Sequence, residues 1–299
     1  MSDQASTLRT LAAGSKYAGA HEPDPFFQNV SVLFEAGKGP RMLAVTSGKG
    51  GVGKTSVATN LAIMLASLEQ RVIVLDADAG LANIDVMLGL TPKYHVGHLL
   101  NGLKSLAEIM IEGPEGIRII PASSGNQKLT ELTGEQRDHI LESVRRLRDE
   151  ADYILVDTAA GLSDNVVHFL SAAHEVVVVC EPEPTAIVDA YAVIKVVHAM
   201  DAQKPIGILV NSVESGDEAL RVYDQLDRVA MRFIQRTVDL LGYIYRDPAV
   251  PLSVRSQTAV VMGYPDAPAS RCFRRLAENM LDREKRNVHA RKAPLKLCH

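Results

Sequence analysis

The chain has 299 residues, of which 46% are hydrophobic, and its formal net charge at pH 7 is −4. A chain of this size can bury the core of one α/β domain, and its charge gives no global attraction to nucleic acid or to an anionic membrane. No apolar run approaches the ~20 residues that span a bilayer. The three cysteines, Cys180, Cys272 and Cys298, are too scattered for a metal-binding pattern. We therefore expect a soluble, cytoplasmic protein with reduced thiols.

The two ends of the chain differ from its middle. Glycines and prolines break any regular pattern in the first forty residues, so we expect residues 1–40 to be a flexible segment. Residues 282–299 carry six Lys or Arg and two acids, which predicts a basic tail. Residues 41–281 are predicted to form the core domain.

The first predicted strand, residues 42–46, leads into the sequence G-K-G-G-V-G-K-T at residues 48–55. A helical pattern follows, and strand, glycine loop and helix together predict a phosphate-binding loop. Lys54 is predicted to reach the β- and γ-phosphates of ATP, and the Thr55 hydroxyl to hold Mg²⁺. The predicted nucleotide-binding residues of this loop are Gly48, Lys49, Gly50, Gly51, Val52, Gly53, Lys54, Thr55 and Ser56.

Lys49 is a second cation inside the same loop. At the second position of the loop it does not easily turn back onto its own nucleotide. We interpret it as a residue that serves the nucleotide of another subunit, and it therefore predicts an ATP-dependent homodimer.

Aspartates follow two of the later strands. Asp76 and Asp78 close the run at residues 72–75, and Asp157 closes the run at residues 153–156. In nucleotide hydrolases such acids hold the hydrated Mg²⁺ and orient the attacking water. We predict Thr55, Asp78 and Asp157 as metal-binding residues and Lys49, Lys54 and Asp78 as catalytic residues. For Asp76, stabilising its own loop is an equally good interpretation.

Further strand-like runs alternate with helical patterns. Near-continuous apolar strands of this kind predict an α/β fold, a single doubly wound and mostly parallel sheet with helices on both faces. One helix is predicted to begin at Thr133, because Gln136 three residues later completes a capping box. The loop Glu181-Pro-Glu183-Pro is interpreted as a strand end shaped by proline. The remaining predicted strands are residues 117–120, 176–180, 206–210 and 241–245.

The last helical pattern contains an apolar stripe opposite Arg271, Arg274 and Arg275. We favour the interpretation that it is the last core helix, packed on the sheet. The alternative is an amphipathic helix that binds a membrane. The apolar stripe comprises Phe273, Leu276, Ala277, Met280 and Leu281.

The loop at residues 48–55 and the segments D-A-D-A-G-L-A-N-I-D and D-T-A-A-G closely resemble those of the MinD/ParA group of deviant P-loop ATPases. This resemblance covers residues 41–281. It implies that Lys49 crosses the interface of an ATP-bound dimer, that Asp78 positions the hydrolytic water, and that Asp157 belongs to the second switch. It also implies that Asn211 contacts adenine. The turn at Asp247 departs from the family pattern, which leaves adenine contacts there open.

Within this group, the start of the chain resembles the D-Q-A-x-x-L-R motif of flagellar number regulators of the FlhG/FleN type. In that family the segment stimulates GTP hydrolysis by the flagellar SRP-type GTPase FlhF. The resemblance implies a regulatory, Mg²⁺-dependent ATPase switch, with flagellar switch or transcription regulators as further partners. It implies a cytoplasmic location, with weak attachment to the inner face of the cell membrane. The implied partner-binding residues are Asp3, Gln4, Ala5, Leu8 and Arg9.

Other functions on the same fold are less well supported. A partition ATPase of the ParA type needs a basic DNA-binding surface, which the core lacks, so we expect no specific nucleic-acid partner. An iron–sulfur carrier needs paired cysteines that this chain does not have. MinD-type placement of the division site is disfavoured by the N-terminal extension, but it and the partition role remain the alternatives.

Overall fold

A computed structural model describes residues 39–78, 83–122 and 132–292, with side chains as far as Arg283. The predicted partner-binding motif at residues 3–9 and part of the segment after Asp78 lie outside these residues. Within them, no helix has the length and apolar character needed to cross a bilayer.

Eight strands form one sheet in the order β3-β4-β2-β5-β1-β6-β7-β8. All neighbouring strands run parallel except β3, which is antiparallel to β4. The strands are β1 (Arg41–Thr46), β2 (Val72–Ala77), β3 (Ile111–Glu112), β4 (Arg118–Ile120), β5 (Tyr153–Thr158), β6 (Glu175–Cys180), β7 (Ile206–Val213) and β8 (Asp239–Tyr245).

The helices in the described ranges cover both faces of this sheet. They are α1 (Lys54–Ser67), α2 (Ile84–Met87), α3 (Val96–Leu100), α4 (Leu106–Ile109), α5 (Gly134–Arg145), α6 (Asp164–Ala172), α7 (Pro184–Met200), α8 (Gly216–Ile234), α9 (Ala249–Arg255), α10 (Val260–Gly263) and α11 (Pro268–Lys292), with a 3₁₀ turn at Pro114–Gly116.

Two hydrophobic clusters lie on opposite sides of the sheet. One lies between the sheet and helices α5 to α8, and the other lies between the sheet and helices α1, α10 and α11. Side chains of a strand alternate between the two faces, so strands buried on both sides must be apolar almost throughout. The predicted doubly wound fold is therefore confirmed.

Helix starts follow local capping chemistry. Thr133 accepts a hydrogen bond from the Gln136 N–H, and the Gln136 side chain accepts one from the Thr133 N–H, as the capping box predicts. Ser163 and Ser215 cap α6 and α8 in the same way with one bond each.

Helix α11 packs on the sheet with its apolar stripe. Phe273, Leu276, Ala277 and Met280 are all buried there, and each large apolar side chain buried in this way contributes ~1.5–3 kcal/mol. The favoured interpretation of this segment as a core helix is confirmed. The helix continues to Lys292, however, because nothing in the sequence stops it at the predicted boundary after residue 281.

Candidate functional site at the carboxyl edge of the sheet

The glycine loop connects the end of β1 to the start of α1. The first helical residue is Lys54, and the residue before it, Gly53, has a left-handed backbone with φ of 86°. No side chain caps this helix, so the N–H groups of its first turn remain available to an anion. The free N–H groups and the positive end of the helix dipole form a phosphate-binding site.

Two neighbouring elements pack so closely against the loop that two of its positions have room only for glycine. A Cβ at Gly48 would lie 2.2 Å from the backbone oxygen of Asp189 in α7. A Cβ at Gly53 would lie 2.5 Å from the side-chain nitrogen of Asn211, which follows the buried part of β7. Any larger residue at either position would push the loop away from these neighbours.

Asn211 is bonded to the loop itself. Its Nδ2 donates a hydrogen bond of 2.9 Å to the carbonyl oxygen of Val52. The structure therefore gives this side chain a role in holding the loop, and its contact with adenine stays a prediction.

The second switch segment is also joined to the loop. The N–H of Gly161 donates to the Ser47 carbonyl at 2.8 Å, and the Ser47 hydroxyl donates to the Lys49 carbonyl at 2.7 Å. Thr158 binds the Val45 carbonyl at 3.1 Å. The end of β5 is thus joined to the phosphate loop by direct hydrogen bonds.

Asp157 is a buried acid without a hydrogen-bond partner. Neither of its carboxylate oxygens accepts a hydrogen bond from any residue that the structure describes. Burial raises the pKa of Asp157 to about 7, against the opposing effects of the nearby Thr55 hydroxyl and Lys54 ammonium. The Thr55 hydroxyl is close enough to influence this pKa without reaching hydrogen-bond geometry. A buried, unsatisfied carboxylate next to a hydroxyl is chemically suited to a hard divalent cation such as Mg²⁺.

Asp76 lies beside Asp157 on the neighbouring strand, with the two residues in register. Its carboxylate accepts backbone N–H bonds from Asp78, Asn83 and Ile84 at 3.2, 3.1 and 3.4 Å. Burial, and then the charge of Asp157, raise the pKa of Asp76 well above its usual value. The structure thus supports the interpretation that Asp76 stabilises the loop, while Asp78 is half-buried at the mouth of the site.

Lys49 forms an ion pair within its own chain. Its ammonium lies 2.7 Å from the carboxylate of Glu183, and both side chains are substantially exposed. This hydrogen bond and the charge of Glu183 raise the pKa of Lys49. The sequence predicts a strand end shaped by proline at Glu181-Pro-Glu183-Pro, and the pairing of Glu183 with Lys49, 134 positions away, was missed.

Asp247 has a structural role near the expected position of the base. One carboxylate oxygen accepts the N–H of Ala249 at 2.9 Å, and the other accepts the N–H of Ala269 at 3.0 Å. These bonds join the start of α9 to the start of α11, and adenine contacts at this turn remain open.

The fold and this site define a P-loop nucleotide-binding protein. The chain matches the family model of the CobQ/CobB/MinD/ParA nucleotide binding domain over residues 43–260. It therefore belongs to the CobQ/CobB/MinD/ParA family, as its motifs predict.

Two flagellar proteins are among the relatives of this chain. The chain is 41% identical to the antiactivator FleN of Pseudomonas aeruginosa over 240 residues, which cover 80% of this chain and 86% of FleN. It is 36% identical to the flagellum site-determining protein YlxH of Helicobacter pylori over 231 residues, covering 77% of this chain and 73% of YlxH. The predicted similarity to flagellar regulators of the FleN type is confirmed.

Solved structures show the same fold. The cell division ATPase MinD of Pyrococcus furiosus is 25% identical, with a TM-score of 0.69, and the match covers 81% of this chain and 98% of that one. MinD of Pyrococcus horikoshii OT3, solved in complex with Mg-ADP, also has a TM-score of 0.69, at 24% identity, and the match covers 86% of this chain and 100% of that one.

Proposed function

We propose that this chain is an ATP-hydrolysing switch that controls the number or placement of flagella. The observation that carries the chemistry is the buried Asp157 carboxylate, which has no hydrogen-bond partner in the described residues and lies beside an uncapped phosphate loop. The pathway is supported by the similarity to FleN and YlxH. The Mg-ADP complex of a MinD relative supports the choice of nucleotide and ion.

Each residue of the site has a proposed task. The loop N–H groups and Lys54 bind the phosphates, and Asp78 orients the attacking water. Thr55 and Asp157 would hold Mg²⁺, together with Asp78. When bound, the ion neutralises phosphate charge that would otherwise repel a nucleophile.

Lys49 is proposed to leave Glu183 and reach the nucleotide of a second copy when ATP is bound. Its exposed position at the mouth of the loop supports this role, because an exposed ion pair is readily exchanged. In this proposal the ATP-bound homodimer is the active form and hydrolysis returns the protein to the monomer.

The dimer is tested by light scattering of the purified chain with ATP and Mg²⁺. Lys49→Ala is expected to retain nucleotide binding and to lose the ATP-dependent dimer. Asp78→Ala is expected to form the dimer and to hydrolyse ATP slowly. Lys54→Ala, which removes phosphate binding, is the negative control. A dimer of unchanged stability in Lys49→Ala contradicts the cross-subunit role.

The partner is proposed to be the flagellar SRP-type GTPase FlhF, stimulated by the motif at residues 3–9. Deleting residues 1–12 is expected to leave ATP hydrolysis unchanged and to abolish the stimulation of FlhF GTPase activity. The matched control replaces only Ser6 and Thr7, the variable positions of the motif, with alanine. Persistence of the stimulation after the deletion contradicts this assignment.

The flagellar role is separated from division-site or partition roles in cells. Expression of the chain in Pseudomonas aeruginosa lacking FleN is expected to restore the normal number of flagella, counted by electron microscopy. The Lys54→Ala variant is expected to fail. Restoration of division-site placement in a strain lacking MinD, without an effect on flagella, favours the alternative.

A further inference from the structure

A groove lies between the edge strand β8 and helix α11. Its volume is about 340 Å³, a size that admits a few side chains of a peptide. Six of its lining residues carry the argument, namely Leu241, Tyr243, Tyr245, Arg271, Arg275 and Leu276.

The floor of this β8–α11 groove is apolar and its wall is aromatic. Leu241 and Leu276 are buried beneath it, and the hydroxyls of Tyr243 and Tyr245 lie 3.5 Å apart on the half-buried wall. Such a surface favours apolar or aromatic side chains, with phenol groups available for hydrogen bonds.

The rim of the groove is positively charged, because its described lining contains two arginines and no acidic residue. Arg271 and Arg275 are exposed, and neither forms an ion pair with a residue in the described ranges. Arg271 donates only to a backbone oxygen, that of Asp266, at 2.9 Å. Two acids near the groove are engaged elsewhere: Asp239 pairs with Arg283 at 2.6 Å, and Asp247 accepts two backbone N–H groups. The groove therefore suits an occupant that is both acidic and aromatic.

The chain itself contains such a segment. Residues 22–27 read E-P-D-P-F-F, so two acids are followed at once by two phenylalanines. Between Lys16 and Lys38 there are three acids and no Lys or Arg, and three of the six phenylalanines of the chain. This composition is complementary to the groove in charge and in aromatic character.

The chain connecting this segment to the core is long enough. Gly39 is the first residue that the structure describes, and it lies two residues before β1. Strand β8 lies three strands away from β1 in the sheet. Three strand spacings amount to about 15 Å. The eleven residues 28–38 span up to ~36 Å when extended.

We propose that residues 22–27 dock in the β8–α11 groove of their own chain. The carboxylates of Glu22 and Asp24 face Arg271 and Arg275, and the phenylalanines rest on the Tyr243 and Tyr245 wall. This contact ties the segment that follows the partner-binding motif to the edge of the sheet.

The chain has no tryptophan, so one introduced indole reports on the segment alone. In Phe26→Trp we expect blue-shifted emission, because the ring is shielded from water. Adding Arg271→Glu and Arg275→Glu is expected to return the emission to that of an exposed indole. Adding Arg274→Glu, on the same helix but outside the groove lining, is the matched control and is expected to leave the emission unchanged. Circular dichroism checks that each variant is folded.

The proposal is overturned by exposed emission in Phe26→Trp, or by emission that the double charge reversal does not move. A blue shift that increases with protein concentration overturns it as well, because it assigns the groove to a second copy. As a second measurement, a labelled peptide of residues 18–30 is expected to bind a chain lacking residues 1–38, by fluorescence anisotropy. The affinity for the peptide is expected to fall at least tenfold when this truncated chain also carries Arg271→Glu and Arg275→Glu. Equal affinity of the truncated chain with and without these two substitutions contradicts the site.

Discussion

Asp157 is an acid placed where water does not reach it and where no described residue bonds to it. A buried carboxylate in this state destabilises the fold once it is ionised. The free protein therefore carries a cost at this position that a bound cation would remove. We regard this as the clearest sign, at the scale of one residue, that the site is built for a ligand.

The pH dependence of this cost has a definite sign. The folded-state pKa of about 7 is above the ordinary aspartate value of 3.8, so the folded state holds the proton more tightly than the unfolded state. Stability therefore falls as pH rises through this interval and levels off above the folded pKa.

Asp157→Asn in the nucleotide-free protein is accordingly expected to be more stable than wild type at pH 8. Its advantage should grow by roughly 2–3 kcal/mol between pH 5 and pH 8. Urea denaturation at the two pH values measures this difference. Glu112→Gln, which removes an exposed acid, is the control. An advantage for Asp157→Asn that is the same at both pH values contradicts the assignment of this pKa.

At the scale of elements, the carboxyl end of α6 is capped by a buried lysine from another part of the chain. Lys204, which lies just before β7, donates to the carbonyl oxygens of Leu170 and Ala173 at 3.2 and 2.9 Å, and also to that of Ser171. Burial lowers the pKa of Lys204 to about 8. Its ammonium satisfies helix-end carbonyls that would otherwise be left without donors.

Lys204→Met is expected to destabilise the fold by ~2–4 kcal/mol, because several buried carbonyl groups lose their donor together. The free energy of unfolding in urea measures the loss. Lys93→Met removes an exposed lysine and is expected to change this free energy by less than ~0.5 kcal/mol. Equal effects of the two variants contradict the capping role of Lys204.

The sequence predicts the strands and longer helices better than it predicts the contacts between them. Seven of the eight strands follow from apolar runs, and Thr133 with Gln136 marks the start of α5. Strand β3 has only two residues, which is too short for a periodic pattern. The short helices α2, α3, α4, α9 and α10 are missed for the same reason.

The contacts that shape the site were beyond prediction because they join distant parts of the chain. Lys49 meets Glu183 across 134 positions, and Asn211 meets Val52 across 159. The types of these four residues and their places near strand ends predict that the residues share one edge of the sheet. Only the packing of α7 and β7 against the loop decides which atoms touch.

At the scale of the molecule, a basic extension follows an acidic core, because the whole chain carries a net charge of −4 and the extension alone is positive. Residues 284–299 contain five Lys or Arg and one acid, a net charge of +4. The membrane role remains a proposal, and it rests on this charge, because the apolar stripe of α11 is used in the core. Such attachment is weak and is screened by salt.

The full chain is expected to sediment with vesicles that contain anionic phosphatidylglycerol at low ionic strength, and to be released at about 0.5 M salt. A chain ending at Arg283 is expected to fold and to hydrolyse ATP normally but not to sediment. Neutral phosphatidylcholine vesicles are the control. Equal sedimentation of the truncated chain contradicts the role of the extension.

The contact between Lys49 and Glu183 also bears on how fast two copies assemble. In the proposed dimer Lys49 must first give up a partner that it already has, so opening of this contact precedes productive collision. Added salt weakens an exposed ion pair. Moderate ionic strength should therefore speed association, which is the reverse of ordinary charge-steered encounter. The ionic strength of the medium then becomes one of the quantities that set the rate of the proposed switch.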